Sequence, residues 1–245
     1  MGQSSPGRPE TAALNDVAFG RDGGSPRRRL TGVQRRASIL EAALTVYGER
    51  GYEHVRSDDV AAAAGVSKAL IYEHFRSKED LYLELLDTAA RDALARVFDA
   101  GSDARASGAE RFEPAIRATL QWMHDEPHAF RLLVRSVSDP VIAARQRDIG
   151  RDATVALAQL MEQEPAAHRQ GLDRAQLEQL ARMITGSVHG LGQWLDENGE
   201  WDVDDAVEIL MSFMWLGLAG LQDGRRWPGQ AAGRKRRAGD ETKTP

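Results

Sequence analysis

Residues 65–81 of this 245-residue chain, GVSKALIYEHFRSKEDL, gather side chains able to meet a polyanion into a very short stretch. Lys68 offers a mobile positive charge, Tyr72 a rigid ring ending in a hydroxyl, and His74 a ring N–H. Ser57, Ser67 and Ser77 each stand where a helix can begin, and the free N–H groups of a helix start suit phosphate oxygens. Lys78 adds charge beside the last of these. Small Ala69 and apolar Leu70 suit contact with a thymine methyl, whereas Glu73 is repelled by phosphate.

Positioning these groups requires short helices held at a tight corner. Ile39, Leu40, Ala43, Leu44 and Tyr47 recur at helical spacing and predict a first helix from Arg35, ending at Gly48 to Gly51. Ser57 is read as the cap of a second helix, DDVAAAA, which Gly65 stops, and Ser67 opens a third, spanning 67–75. Val66, Ile71 and Phe75 are its inward residues, leaving Lys68, Ala69 and Tyr72 on a shared outer side of a width that fits the DNA major groove. Ser77 and Asp80 form a capping box at the start of a longer helix carrying Leu81, Leu85 and Leu86 to about Phe98.

The rest of the chain predicts further helices over 111–124, 127–136, 140–163, 173–196 and 203–221, with Pro127, Pro140 and Pro165 near the breaks. The fold class expected is all-α: an N-terminal three-helix unit with a helix-turn-helix, joined to a larger helical domain. The boundaries expected are a disordered arm over 1–30, a helix-turn-helix domain over 31–81, a helical domain over 82–224, and a disordered basic tail over 225–245.

Composition excludes several classes. The chain has no cysteine, which removes disulfides and thiolate chemistry. No apolar run approaches the roughly eighteen residues of a membrane span, so a cytoplasmic protein without membrane contact is expected. No glycine-rich nucleotide loop, nucleophile elbow or H-E-x-x-H sequence is present, so no enzymatic activity is expected. The net charge of −5 is unevenly spread: residues 27–36 hold five arginines and no acid, whereas 91–222 hold 13 Lys or Arg against 21 Asp or Glu. Attraction to a polyanion belongs to the front of the chain.

Behind the front unit, Trp122, Met123, His124, Phe130, Leu133, Met183, Val188 and His189 are candidates for a mostly apolar ligand pocket with one polar handle, against the plainer reading that they are core. His124, Asp125, Glu126 and His128 straddle Pro127 and read as a solvated turn; no metal and no cofactor is expected. Gly186, Gly190, Gly192, Gly217 and Gly220 let helices approach closely, at a dimer seam or inside one subunit.

Residues 35–81, and above all AAAAGVSKALIYEHFRSKEDL, resemble the DNA-binding domain of the TetR family of transcriptional regulators, through AGVS, the aromatic residues around His74 and F-x-S-K-E-x-L. The resemblance implies DNA contacts at Ser57, Ser67, Lys68, Tyr72, His74 and Lys78. It also implies that 31–81 is a DNA-binding domain and 82–224 a regulatory, ligand-binding and dimerisation domain, with a homodimer joined through C-terminal helices, an inverted-repeat operator in double-stranded DNA, and a small-molecule effector held in a cavity of each regulatory domain. A ligand-responsive repressor released by a small, mostly apolar effector is thus expected. An activator with the same reading head, or a helical interaction module without operator binding, are the alternatives.

Overall fold

The chain from Thr31 opens into helix α1 (Gly32–Arg50), and the start is written in its first residues. Thr31 Oγ1 accepts the Gln34 N–H at 3.2 Å while Gln34 Oε1 accepts the Thr31 N–H at 3.0 Å, a reciprocal cap that begins the helix three residues before the expected Arg35. The structure is a computed structural model and describes residues 31–101, 109–163 and 171–222, so the expected N-terminal arm and basic tail lie outside it. Every extended element among the described residues is a helix.

Helix α2 (Ser57–Ala64) corrects one assignment. Arg56, not Ser57, is the capping position, and Asp59 accepts the Arg56 backbone N–H at 2.7 Å. Ser57 is the first helical residue, and its side chain is buried. Gly65 ends α2 with φ +64°, a left-handed conformation that costs a residue with a Cβ more than it costs glycine, and the Val66 N–H reaches back to the Ala61 carbonyl at 2.9 Å. Ser67 caps α3 (Lys68–His74), its hydroxyl accepting the Leu70 N–H at 3.3 Å.

Ser77 caps α4 (Lys78–Ala100) through the Asp80 N–H at 3.0 Å. Asp80 reaches back one residue further than a capping box requires, accepting the Arg76 N–H at 2.9 Å. The remaining helices are α5 (Ala109–Asp125), α6 (Pro127–Val134), α7 (Pro140–Glu162), α8 (Arg174–Asn198) and α9 (Val203–Gln222). Pro127 and Pro140 occupy first-turn positions where no N–H partner is lost, and Asp139 and Asp173 cap the helices that follow them.

Two cores hold these elements. The front core joins Ile39, Ala43 and Tyr47 of α1 to Val60, Ile71, Phe75, Leu81, Leu85 and Leu86, and takes in Leu132 of α6 and Ile142 of α7. The rear core joins Leu120, Trp122, Met123 and Phe130 to Leu177, Ala181, Ile184, Val207 and Leu210. Helix α4 gives its first half to the front core and Ala89 to the rear one. The front unit is therefore fastened to the rear by buried side chains as well as by a shared helix.

Candidate nucleic-acid interface and ligand cavity

Helix α3 is too short to persist alone, so its orientation comes from what it buries. Ile71 and Phe75, four residues apart, are 2% and 1% exposed and fix the inner face. Burial of two such side chains stabilises the arrangement by about 1.5–3 kcal/mol each. Lys68, Ala69, Tyr72 and Glu73 are left exposed, while Leu70 and His74 are half-buried. The shared outer side expected for Lys68, Ala69 and Tyr72 is present.

These side chains are preset by contacts to α2. The Tyr72 hydroxyl lies 3.0 Å from Ser57 Oγ, so Ser57 holds the Tyr72 ring from beneath. Lys68 Nζ donates to Asp58 at 2.9 Å, and that hydrogen bond, followed by the charge of Asp58, raises the lysine's affinity for its proton. Both partners are exposed and screened by solvent, so the pair can be exchanged for a phosphate.

Lys78 is turned inward: its ammonium donates to the Tyr52 carbonyl and sits 4.0 Å from the centre of the Tyr52 ring. Loss of water around it lowers its pKa, while Glu53 and Asp139 pull the other way. Ser67 and Ser77 are exposed at their helix starts.

One cation escaped the sequence reading. Exposed Arg56, at the start of α2, lies within electrostatic reach of Lys68, its charge opposing that lysine's protonation more weakly than Asp58 favours it. No spacing rule signals this, because the α2–α3 corner makes the juxtaposition.

In the rear domain a cavity of about 1840 Å³ is bounded by α4, α5, α6, α7 and α8. Of the pocket candidates, Trp122, Met123, Phe130, Leu133, Met183, Val188 and His189 line it. His124 does not; it is exposed at the end of α5, beside Asp125 and edge-on to Trp201 at 5.3 Å. Trp122 is also core, with its indole N–H donating to Asp92 at 2.9 Å.

His189 is open to water in the wide cavity yet surrounded by protein at longer range. That loss of bulk water, and then the charge of Arg182, hold its pKa below the ordinary value. Gly192 belongs inside the subunit, because a Cβ there would meet Met123 Sδ at 2.4 Å, whereas Gly186 and Gly190 border the cavity. Among the described residues no group of three or more His, Asp or Glu converges as a metal site, and none of their helices is long and apolar enough to cross a membrane.

Comparison with known proteins agrees with this architecture. Residues 39–85 match the sequence model of "Bacterial regulatory proteins, tetR family". The chain is 30% identical over 204 residues to the HTH-type transcriptional activator FasR of Mycolicibacterium smegmatis, covering 81% of this chain and 90% of that protein. A TetR-like transcriptional regulator from Rhodococcus sp. RHA1 shares the fold with a TM-score of 0.66 at 24% identity, covering 78% of this chain and all of that one. So does AibR, solved in complex with isovaleryl coenzyme A and operator DNA, with a TM-score of 0.59 at 21% identity, covering 73% and 97%. With its helix-turn-helix matched and a relative aligned along most of both lengths, the chain belongs to the TetR family of bacterial transcriptional regulators.

Proposed function

We propose that this protein is a homodimeric, ligand-responsive regulator that reads an inverted-repeat operator through α3 and releases it when an effector fills the rear cavity. The observation that carries the reading is the outer face of α3, where Lys68, Ala69 and Tyr72 stand exposed on a helix whose opposite face is locked into the core. In this reading Lys68, Arg56 and the helix starts at Ser67 and Ser77 meet phosphate, and Tyr72 with Ala69 meets base edges, Ser57 serving as the buried prop of Tyr72. His74 contributes from the half-buried side, and Lys78 contacts DNA only after leaving Tyr52.

Dimerisation through the last two helices is supported by their unpartnered apolar residues. Ile209 and Phe213, one turn apart on α9, are 65% and 67% exposed, and Trp194 on α8 is 58% exposed, while Val207, Leu210 and Met214 already fill the subunit's own core. A helix apolar on two sides calls for cover on both. A two-fold dimer sets two α3 helices one DNA turn or a multiple apart, which is why an inverted repeat follows.

Communication from cavity to head is supported by the segment Val134–Val137, which borders both the main cavity and a polar cleft against the head. Arg135 in that segment donates to the Gly48 carbonyl at 2.8 Å and the Glu49 carbonyl at 3.2 Å, at the end of α1. Glu53 accepts the Ser138 N–H at 2.7 Å, and His128 of α6 packs against Gly48 so tightly that a Cβ there would lie 2.5 Å from it. An effector that displaces this segment shifts the head, provided it binds the two arrangements with different affinity.

The test is recovery of genomic fragments bound by the purified full-length chain, followed by gel shift with and without effector. Salt-insensitive binding that ignores sequence counts against the reading. A second reading, activation rather than repression, is favoured by the name of the FasR relative. In-vitro transcription on the recovered promoter separates the two: repression lowers transcript before effector is added, and activation raises it.

A further inference from the structure

We propose that the effector is an amphiphile with a long apolar tail and an anionic head, the head held by Arg147 and Arg182; this rests on the ligand-responsive reading above and gives its ligand a chemical class. The cavity, about 1840 Å³, exceeds the roughly 300–1,000 Å³ of a pocket for a compact ligand, so a small apolar molecule leaves most of it unfilled. Its walls are not uniform. Leu94, Val97, Phe112, Ile116, Phe130 and Leu133 from α4, α5 and α6 offer only hydrocarbon, whereas α7 and α8 bring arginines to the lining.

Those arginines are not equivalent. Arg135 is engaged by the carbonyls at the end of α1, and Arg151 by Asp148 at 3.1 Å. The guanidinium groups of Arg147 and Arg182 have no ion-pair or hydrogen-bond partner among the described residues. Arg182 crosses α7 at Gly150, its Nη1 3.8 Å from where a Cβ there would be, which is one turn from Arg147. The acids of the lining are Asp99 and Glu178, and Glu178 already accepts Arg174 Nε at 3.1 Å. The field of Arg182 is felt within the cavity, since it lowers the proton affinity of His189. Two unpaired cations beside a hydrocarbon-lined space favour an anion on an apolar chain and oppose a lipophilic cation.

The experiment is calorimetric titration of the full-length chain, without DNA and below each ligand's micelle threshold. The probes are dodecanoate, dodecyl phosphate, dodecanoyl coenzyme A, dodecanol and dodecyltrimethylammonium. At least one anion binds about tenfold or more tighter than dodecanol, and the ammonium binds weakest. The three anions compared with one another show whether a carboxylate or a phosphate-bearing head is preferred. Hexanoate binds far more weakly than dodecanoate, by roughly tenfold for every two methylenes lost.

R147Q/R182Q erases the preference for anions while R147K/R182K keeps it, with circular dichroism of each ligand-free variant checking its fold. Equal binding of dodecanol and the anions, preference for the ammonium, or an anion preference that survives R147Q/R182Q overturns the proposal. Because binding is read without DNA, anion binding in a chain that recovers no operator leaves this inference standing and sinks the regulatory one. Operator binding with no anion preference does the reverse.

Discussion

The front and rear of the molecule use the same material, short and medium helices with apolar faces, to opposite ends. The front unit spends Ile39, Tyr47, Val60, Ile71 and Phe75 on filling one small core, each no more than 2% exposed, so that a seven-residue helix has a single orientation. The rear bundle leaves about 1840 Å³ between its helices and lets Met183 and Trp194 stand exposed. In the proposed function, the rigidity serves a groove to be read and the space serves a ligand. The contrast also locates where each half is vulnerable: the front to loss of packing, the rear to loss of the few polar ties that relate it to the front.

The largest effect therefore belongs to Phe75. Its ring is 1% exposed and carries the Arg36 guanidinium 4.6 Å above its centre, with Arg36 also bound to Glu84. Phe75→Ala removes the anchor at the end of α3 at a cost of about 3–5 kcal/mol, a large part of the stability of a small domain. Hydrogen exchange should show the amides of α1 to α3 losing protection while α8 keeps its own. Uniform loss through both halves means that the two cores unfold as one unit.

Next come the residues that face outward. Lys68→Ala leaves Asp58 without its partner, and Tyr72→Ala frees the Ser57 hydroxyl, yet neither opens a core. Each should leave the melting temperature nearly unchanged and weaken operator binding by about 1–3 kcal/mol for Tyr72, with Lys68 lowering the salt slope by roughly one unit. Unchanged affinity in both variants points to a different DNA-binding surface, or to an interaction module in which α3 reads nothing.

The two halves also differed in how much the sequence disclosed. In the front unit, periodicity, Gly65 and the serines gave every helix, and the inner and outer faces of α3 followed from four-residue spacing. What escaped were facts created by the packing itself: Ser57 as a buried prop rather than a cap, Arg56 within electrostatic reach of Lys68, and Lys78 turned onto Tyr52. In the rear, helix positions were legible, but a residue's side of a wall was not. His124 is adjacent in sequence to Met123 and yet lies outside the cavity that Met123 lines, because neighbours on a helix point about 100° apart. Gly192 looked like Gly186 and Gly190 until Met123 was found against it.

The ties between the halves give a smaller effect. Arg135 holds the last carbonyls of α1 from a segment that borders the cavity. Arg135→Met keeps the length of the side chain and removes its donors. Ligand-free operator binding should fall less than about threefold, while the dodecanoate concentration needed for half release should rise about tenfold, the worth of one charge-assisted hydrogen bond. Release at the wild-type concentration means that the signal travels through α4 alone.

The smallest effect is a pH-dependent one at Glu53. Its carboxylate accepts the Ser138 N–H at 2.7 Å, and that bond, set against partial loss of water, holds its pKa below the ordinary 4.5. A depressed carboxylate contributes stability that is complete above the ordinary value and disappears as pH falls through the lower folded value. Glu53 is exposed, so solvent screening keeps the contribution under about 1 kcal/mol. Glu53→Gln should melt slightly below the wild type at pH 7, and the two curves should converge as the solution is taken below the carboxylate range. A gap that stays constant through that range means that the wild-type advantage comes from side-chain packing rather than from the charge that ties Glu53 to the first residues beyond α6.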